Sequence, residues 1–288
     1  MVSSFSDYLV SVSETIFWDH GDREPWDLET SQSAPVHDGA SWFFVVSHPR
    51  TGSTAAVDHL NAHPAIHCGN EDHVLPLLAT VLGSRLMMSA ALWDSVRYRR
   101  MSPLTPLRLR LLLDAWRAGL SDRPRFGDKG EMYYGAFEPA CDAVFPGCKY
   151  ILTVRRPLDA LGSYLSQPWA LDVQTATAEE MYTRLQARAW MLLERNLHWR
   201  ERAVVVCFDE LTSESAFREI WQGVFNHLDV DPSAFAWKQR WAACRYGEAM
   251  RKYDDHPTLV AFLEWLRTND EPLYAVLRSG TCYSAPGG

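Results

Sequence analysis

A strand, turn and helix pattern at residues 42–60 constrains the fold of this chain more than any other part of its sequence. Residues 42–46 form an aromatic and β-branched run, Trp-Phe-Phe-Val-Val, which is typical of a buried strand. The strand ends by Pro49, because proline has no amide hydrogen to donate to a strand ladder. A helical pattern follows at residues 55–60. Since strands that alternate with helices build parallel sheets, the pattern favours an α/β fold.

The turn between this strand and helix is suited to binding an anion. Gly52 permits a tight turn and a close approach of the backbone, and Ser53 and Thr54 are residue types that cap helices. Backbone N–H groups at a helix N-terminus point towards a ligand, and the helix dipole favours negative charge there. We therefore expect an anion-binding loop. The alternative is a strand–turn–helix corner without a ligand.

The loop differs from that of ordinary nucleoside triphosphatases. The common P-loop, G-x-x-x-x-G-K-[ST], has a lysine directly before its Ser or Thr. Here the glycine is followed directly by Ser-Thr, and the nearby cation is an arginine two residues before the glycine. The segment resembles the 5′-phosphosulfate loop of sulfotransferases that use PAPS (3′-phosphoadenosine 5′-phosphosulfate). The resemblance implies that six residues bind this donor: Pro49, Arg50, Thr51, Gly52, Ser53 and Thr54.

A second segment resembles another part of the same enzymes. Residues 149–154 predict a buried strand that runs into Arg155, with Ser163 on the helix that follows. Open α/β sheets bind ligands at the carboxyl ends of their strands, and an arginine with a hydroxyl suits a phosphate monoester. The spacing of Arg155, Pro157 and Ser163 resembles the 3′-phosphate site, which implies that Arg155 and Ser163 bind that phosphate. Arg156 stands where the family often has an acidic residue, so which arginine binds is open.

A third segment supplies a candidate catalytic base. Residues 63–71 resemble the H-P-x-(I/V)-x-C-G-x-E segment of the tyrosylprotein sulfotransferases, and the resemblance implies that Glu71 removes the proton from the acceptor hydroxyl. The chemistry needs such a group, because a hydroxyl is a poor nucleophile until a base takes its proton. His67 and His73 are alternative bases. A solvated loop is the alternative without a catalytic role.

Lys129 is a candidate for charge stabilisation. Residues 128–129 resemble part of the "(D/E)-K-(S/D)-P" motif of the same superfamily, in which the lysine approaches the sulfuryl group and the bridging oxygen. A cation is useful where negative charge develops on the leaving phosphate. The resemblance implies a catalytic role for Lys129 together with Arg50. An exposed lysine in a turn is the alternative.

A third predicted strand leaves other functions open. Residues 203–208 are followed by Asp209 and Glu210, as in a Walker B strand whose aspartate holds Mg²⁺. The pattern is compatible with an ATP-dependent phosphotransferase, although the Walker lysine is missing. The sulfotransferase family has a comparable strand that ends in an acidic pair and a leucine, matched here by Asp209, Glu210 and Leu211, and this resemblance implies that the acidic residues are mainly structural. A non-catalytic nucleotide-binding scaffold of the same fold is a further alternative.

Together these segments predict an α/β, P-loop-like three-layer sandwich in which helices flank a central parallel sheet. We expect a single sulfotransferase domain over residues 1–288, with residues 1–40 as an N-terminal extension. Residues 73–125 predict a helical insertion on the acceptor side. Further helical patterns cover residues 175–202 and 214–228.

The composition restricts the partners. A net charge of −8 argues against nucleic-acid binding, which needs a basic surface. No apolar run is long enough to span a membrane, and the first residues lack a basic region and a signal-peptide core. We therefore expect a cytoplasmic protein. The six cysteines show no C-x-x-C spacing, so we expect no metal site.

The acceptor is the least constrained partner. A small molecule, a carbohydrate or a peptide tyrosine would each offer a suitable hydroxyl. The arginines within residues 95–125 predict either ordinary solvated surface or a patch that receives an anionic acceptor. The sequence leaves a monomer and a homodimer open. The arginines concerned are Arg97, Arg99, Arg100, Arg108, Arg110, Arg117, Arg123 and Arg125.

Overall fold

The computed structural model describes residues 41–70, 74, 106–131, 141–142, 144–168, 170, 176–243 and 253–280. Within these ranges the chain forms a five-stranded sheet with the strand order β2-β3-β1-β4-β5. The strands are β1 (Trp42–Ser47), β2 (Ile66–Asn70), β3 (Arg125–Glu131), β4 (Lys149–Val154) and β5 (Ala203–Cys207). β2 pairs in parallel with β3, and β4 pairs in parallel with β5. The predicted α/β fold with a central parallel sheet flanked by helices is confirmed.

The helices lie between and after the strands. They are α1 (Ser53–Asn61), α2 (Pro106–Leu120), α3 (Pro157–Leu165), α4 (Ala178–Trp199), α5 (Glu214–His227), α6 (Trp237–Ala243), α7 (Pro257–Asn269) and α8 (Glu271–Ser279). The helices predicted at 55–60, 175–202 and 214–228 correspond to α1, α4 and α5. α4 begins later than predicted because Thr177 and Glu180 form a capping box, in which each side chain accepts a hydrogen bond from the other's backbone amide.

The strand order locates the topological switch point of the sheet. From β1 the chain moves through α1 to β2 on one side, and from β4 it moves through α3 and α4 to β5 on the other side. The connections that leave the carboxyl ends of β1 and β4 therefore run in opposite directions. In open α/β sheets the crevice between two such strands is the usual place for a ligand.

The chain divides into two compact units, residues 1–44 with 65–149, and residues 45–64 with 150–288. The first unit has an aromatic core in which the ring of Trp42 packs against Phe145 and Phe126, with centroids 4.4 and 5.0 Å away. The indole Nε1 of Trp42 donates to Asp114 at 2.8 Å, so this buried polar atom is satisfied.

The second unit has its main apolar core between α3, α4, α7 and α8. Buried leucines and aromatic rings of these helices form one cluster, which includes Leu158, Leu193, Phe262 and Leu277. This core fixes α3, the helix that leaves the end of β4. On the β4 side, the switch point is therefore bordered by a helix that is closely packed against the core.

Three local details differ from the sequence prediction. The N-cap of α1 is Gly52, and Ser53 and Thr54 are the first two helical residues rather than caps. The segment before Glu71 contains a strand, β2, and Lys129 lies in strand β3 rather than in a turn. Neither was predicted as a separate strand, because their residues, Ile-His-Cys-Gly-Asn and Arg-Phe-Gly-Asp-Lys-Gly-Glu, lack a clear apolar period. The predicted extension 1–40 and most of the insertion 73–125 lie outside the described residues, and α2 is the described helical part of that insertion.

Candidate functional site

Gly52 is required by two independent constraints. Its φ of 91° lies in the left-handed region, which side-chain-bearing residues rarely adopt. A Cβ atom at this position would also lie 2.6 Å from ring atoms of Phe208, the residue that follows β5. The loop therefore passes closely over the Phe208 ring, and only glycine fits both the backbone conformation and the space.

Arg50 has a strained backbone and a specific partner. It is one of two non-glycine residues in the described ranges with a positive φ, here 71°. A non-glycine residue in this conformation costs free energy and is commonest at functional sites. Its Nε donates a hydrogen bond to Ser163 Oγ, at 3.0 Å. The first predicted binding segment thus contacts the second, 113 residues further along the chain.

Thr51 anchors the loop from beneath. Its side chain is buried, and its Oγ1 donates to the His48 carbonyl at 2.8 Å. The same Oγ1 lies 2.9 Å from Thr153 Oγ1 on β4. Because the Thr51 hydroxyl hydrogen is already used, the Thr153 hydroxyl is the donor between the two. This chain of hydrogen bonds ties the loop after β1 to the end of β4.

The N-terminus of α1 follows directly from this loop. The Ala56 amide donates to the Gly52 carbonyl at 3.0 Å, which closes the first helical turn. As glycine has no side chain, the N-cap residue itself offers no capping oxygen to the first amides of the helix. Ser53 is buried and Thr54 is exposed. The dipole of the helix favours an anion at this end.

The end of β4 carries the second predicted segment. Arg155 directly follows β4, and its side chain is buried, with 9 % exposed. Ser163 is buried on α3 and accepts the hydrogen bond from Arg50. An oxygen that accepts from an arginine keeps its own hydrogen for donation. Arg155, Ser163 and the loop therefore gather at the switch point between β1 and β4.

Arg156 is occupied by other partners. Its guanidinium donates to both carboxylate oxygens of Asp159, at 2.6 and 2.8 Å, and to both of Asp254, at 2.9 and 2.8 Å. These hydrogen bonds, those to Asp159 above all, raise the pKa of Arg156 above its ordinary value. Its backbone amide donates to the carboxylate of Asp209. Arg155 is therefore the better candidate for a ligand-binding arginine.

Lys129 is buried in β3, with 4 % of its surface exposed, so the alternative of an exposed turn lysine is wrong. It stands opposite Asn70 in the parallel pairing of β2 and β3. Its neighbour Asp128 is fully buried and accepts a hydrogen bond from the Val74 amide at 3.1 Å. Glu71, which directly follows β2, lies outside the described residues, as does His73.

Comparison with protein families gives one decisive match. The model of the family described as "Sulfotransferase family" matches residues 43–231, which is more than half of the chain. This chain belongs to the sulfotransferase family. The match covers β1 to β5 together with the loop at residues 48–54 and α3. Family membership supports a sulfotransferase activity.

Solved structures similar to this sulfotransferase-family chain include two bacterial proteins. One is a sulfotransferase from Alicyclobacillus acidocaldarius, with 17 % identity, a TM-score of 0.48, and coverage of 84 % of this chain and 96 % of that one. The other is sulfotransferase STF9 from Mycobacterium avium, with 17 % identity, a TM-score of 0.43, and coverage of 93 % and 81 %. No curated protein sequence matches the chain.

Two of the arginines at residues 95–125 have internal roles in this family member. Arg110 Nε pairs with Asp114 at 2.8 Å, and both side chains are buried. Arg117 is buried and donates to Ser41 Oγ and to the carbonyls of Arg123 and Pro124. Arg110 and Arg117 are therefore internal residues and do not form part of a surface patch. Arg97, Arg99 and Arg100 lie outside the described residues.

Three residues near the loop were not predicted as part of the site. Thr153 is a polar residue inside the apolar run of β4, between Leu152 and Val154, and this could have marked it. Phe208 gave no signal, since an aromatic residue at the end of a strand normally indicates core. Asp209 was interpreted as a mainly structural residue under the sulfotransferase resemblance, and as a metal ligand only under the phosphotransferase alternative; in the structure its carboxylate accepts a hydrogen bond from the Arg156 amide. None of the helices in the described ranges combines the length and apolar character needed to cross a bilayer.

Proposed function

We propose that this protein transfers a sulfuryl group from PAPS to an acceptor hydroxyl, which yields an O-sulfated product and PAP (3′-phosphoadenosine 5′-phosphate). The observation that carries the proposal is the hydrogen bond from Arg50 to Ser163. Arg50 belongs to the segment that resembles the 5′-phosphosulfate loop, and Ser163 belongs to the segment that resembles the 3′-phosphate site. Their contact supports a single site with two places for anions.

The loop fits the 5′ end of the donor. Gly52 carries no Cβ, so the backbone can approach an oxyanion closely, and α1 directs its N-terminal amides to the same side. Arg50 adds a positive charge beside these amides. The backbone of residues 50–54 and the Arg50 guanidinium would together bind the phosphosulfate.

The end of β4 fits the 3′-phosphate. Arg155 is buried, and a buried guanidinium forms strong, charge-assisted hydrogen bonds with a phosphate. Ser163 can donate its hydroxyl hydrogen while it accepts from Arg50. A nucleotide that lacks the 3′-phosphate would leave these groups without this partner, so the site should discriminate PAP from 5′-AMP.

The transfer requires a base and stabilisation of the leaving group. PAPS supplies the sulfuryl group. The acceptor oxygen forms a bond to sulfur as the bond from sulfur to the bridging phosphate oxygen breaks, and the hydroxyl proton passes to Glu71. Lys129 and Arg50 would stabilise the charge that develops on the bridging oxygen. The roles of Glu71 and Lys129 rest on their motifs.

Whereas the donor is proposed as a single compound, the acceptor is proposed only as a class of hydroxyl compounds. A small-molecule, carbohydrate or peptide-tyrosine hydroxyl would satisfy the same chemistry. An anionic acceptor would need basic surface residues, and Arg97, Arg99 and Arg100 are the candidates since Arg110 and Arg117 are internal.

The ATP-dependent alternative is less well supported. It requires the carboxylate of Asp209 to hold Mg²⁺ beside a Walker lysine. In this chain Asp209 accepts a hydrogen bond from the Arg156 amide, and an arginine, Arg50, supplies the cation of the loop. Asp209 thus has a structural use that explains its place at the end of β5.

Calorimetric titration with PAP, 5′-AMP and Mg-ATP tests the donor. We expect metal-independent binding of PAP and much weaker binding of 5′-AMP. A preference for Mg-ATP would overturn the proposal in favour of a phosphotransferase.

The catalytic base is tested with Glu71→Gln. This variant should lose turnover while it keeps PAP affinity, and Asp72→Asn is the matched control. Near-normal turnover of Glu71→Gln would exclude Glu71 as the base.

A further inference from the structure

We propose that Arg156 is a positioning residue that fixes the 3′-phosphate site by tying residues 253–256 to α3. The inference rests on the proposed function, because it concerns how Arg155 and Ser163 are held for the phosphate. Arg156 is the residue between Arg155 and α3, so any displacement of its backbone moves both phosphate ligands. Its role is to hold those residues in place, and it does not itself contact the donor.

The guanidinium of Arg156 is shared by two carboxylates. Nε and one terminal nitrogen form a bidentate pair with Asp159, and the two terminal nitrogens form a second bidentate pair with Asp254. Four of the five N–H donors of an arginine are used in this arrangement. Two planar pairs fix the orientation of the side chain as well as its position, which lysine could not do.

The burial of Asp159 strongly favours its ion pair with Arg156. It lies in the first turn of α3 and is fully buried, and its Oδ1 also accepts the Tyr253 amide at 3.0 Å. A buried carboxylate is costly unless it is paired and hydrogen-bonded. Arg156 and Tyr253 both contribute to this compensation, so the start of α3 and residue 253 are held together.

Tyr253 contacts α3 a second time, further along the helix. A Cβ atom on Gly162 would lie 2.4 Å from the Tyr253 ring, so the ring packs directly on the helix backbone at this point. Gly162 is the residue before Ser163. The amide of Tyr253 therefore meets the first turn of α3 through Asp159, and its ring meets the turn that carries the phosphate-binding hydroxyl.

The two ion pairs differ in exposure, which makes them experimentally separable. The side chain of Asp159 is 1 % exposed, whereas that of Asp254 is 53 % exposed. Removing the Asp159 carboxylate would disturb the core, but Asp254 can be changed with little effect on folding because exposed pairs contribute little stability. An exposed pair is also screened by salt. Asp254 is thus the residue through which the proposal can be tested.

The test compares Asp254→Asn with Asp255→Asn, an identical change at the next, exposed residue. For Asp254→Asn we expect PAP affinity to fall about two- to fivefold, because the coupling that is lost cannot exceed the contribution of one exposed ion pair. The KM for PAPS should rise with kcat unchanged, and the affinity for 5′-AMP should not change. Asp255→Asn should behave as wild type, and Asp254→Glu should recover most of the loss.

Three further measurements test the same positioning role. Arg156→Lys keeps the charge but loses both bidentate pairs, and it should weaken PAP binding at least as much as Asp254→Asn. The penalty of Asp254→Asn should shrink at high salt, where the wild-type pair is screened. Hydrogen exchange at the Tyr253 amide should be faster in Arg156→Lys without any nucleotide present, since the Asp159 acceptor is then less firmly held.

The outcomes separate this inference from the proposed function. If wild type binds PAP but Asp254→Asn and Arg156→Lys bind it equally well, the positioning role is wrong and the donor assignment stands. Equal losses for PAP and 5′-AMP in these variants would also overturn it, because the effect would not concern the 3′-phosphate. If wild type itself fails to discriminate PAP from 5′-AMP, the proposed function and the inference built on it both fall.

Discussion

Arg50 and Ser163 share a hydrogen bond in which the arginine Nε is the donor and the serine Oγ is the acceptor, 3.0 Å apart. The direction of the bond matters, because the serine keeps its own hydrogen to donate to an anion. One hydroxyl thus receives a bond from the 5′ loop and can give one to a 3′-phosphate. In the proposed donor site, the two anion-binding segments would be linked through this single oxygen atom.

Ser163→Ala is therefore expected to weaken PAP binding about tenfold, since a hydrogen bond to a charged group is lost. Isothermal titration with PAP measures the effect. Ser166→Ala is the matched control, because Ser166 Oγ donates only to the Ser163 carbonyl at the end of α3. Unchanged PAP affinity in Ser163→Ala would remove Ser163 from the site.

Gly52→Ala is expected to lower the free energy of unfolding by about 1–3 kcal/mol and to abolish PAP binding, because its φ of 91° is strained for alanine. The added methyl group would also overlap the Phe208 ring. Chemical denaturation and titration measure the two effects.

Gly223→Ala provides the control for this substitution. Gly223 lies within α5, and a Cβ there would meet no atom within 4 Å. Alanine should raise the free energy of unfolding by about 0.5–1 kcal/mol at this helical position. A Gly52→Ala variant as stable and as active as Gly223→Ala would contradict the tight passage of the loop over Phe208.

Lys129→Met should lower kcat about 100-fold or more while PAP affinity changes little, because the lysine is assigned to charge that develops during transfer. Methionine retains much of the buried volume of the lysine in β3, so the fold should survive. Steady-state kinetics with PAPS and an accepted hydroxyl compound give the comparison. Lys238→Met, an exposed change on α6, is the control. A normal kcat in Lys129→Met would refute the assignment.

Two buried histidines should make stability depend on pH. Burial lowers the pKa of His48 from 6.5 to about 4, helped by Arg195 and Arg188, and lowers the pKa of His59 from 6.5 to about 4, helped by Arg240. The unfolded chain therefore binds more protons between these values. Stability is fully present above pH 6.5 and declines as pH falls towards about 4, by about 2 kcal/mol for each histidine between about pH 7.5 and pH 5.

Replacing His59 isolates its share of this dependence. His59 packs against Phe217 and Trp221, with centroids 5.2 and 5.0 Å away, so His59→Phe fits an aromatic environment. Denaturation at about pH 7.5 and pH 5 should show a smaller difference in His59→Phe than in wild type. His198→Phe, at an exposed position of α4, should retain the wild-type difference. An unaltered pH dependence in His59→Phe would show that His59 is not the group concerned.

The sequence predicted the parts of this fold that have a strong local pattern. β1, β4 and β5 are apolar runs, and α4 and α5 have clear helical periods, so their positions could be inferred. β2 and β3 could not, because Gly69, Asp128 and Lys129 interrupt them and their pairing with each other is a tertiary effect. The candidate site was proposed from motifs, since motifs record what a ligand requires, and the ligand-binding roles of its residues stay predictions.

The supporting contacts were not predictable in the same way. The Phe208 ring lies close to Gly52, 156 positions away in the sequence, and Arg156 pairs with Asp254, 98 positions away. No short-range pattern carries such information. The sequence alone therefore did not distinguish Arg155 from Arg156 as the candidate phosphate-binding residue. Arg155 is favoured because the structure shows Arg156 held by two carboxylates.

The hydroxyl pair formed by Thr51 and Thr153 has a consequence for how this protein would respond to its surroundings. The two hydroxyl groups are neutral, and neither titrates nor attracts counter-ions. Ionic strength can thus weaken the attraction between the loop and an anion without weakening this link between the loop and β4. If this loop binds the proposed donor, a change in the salt content of the cell would alter the fraction of protein with donor bound, while the conformation of the loop stayed the same.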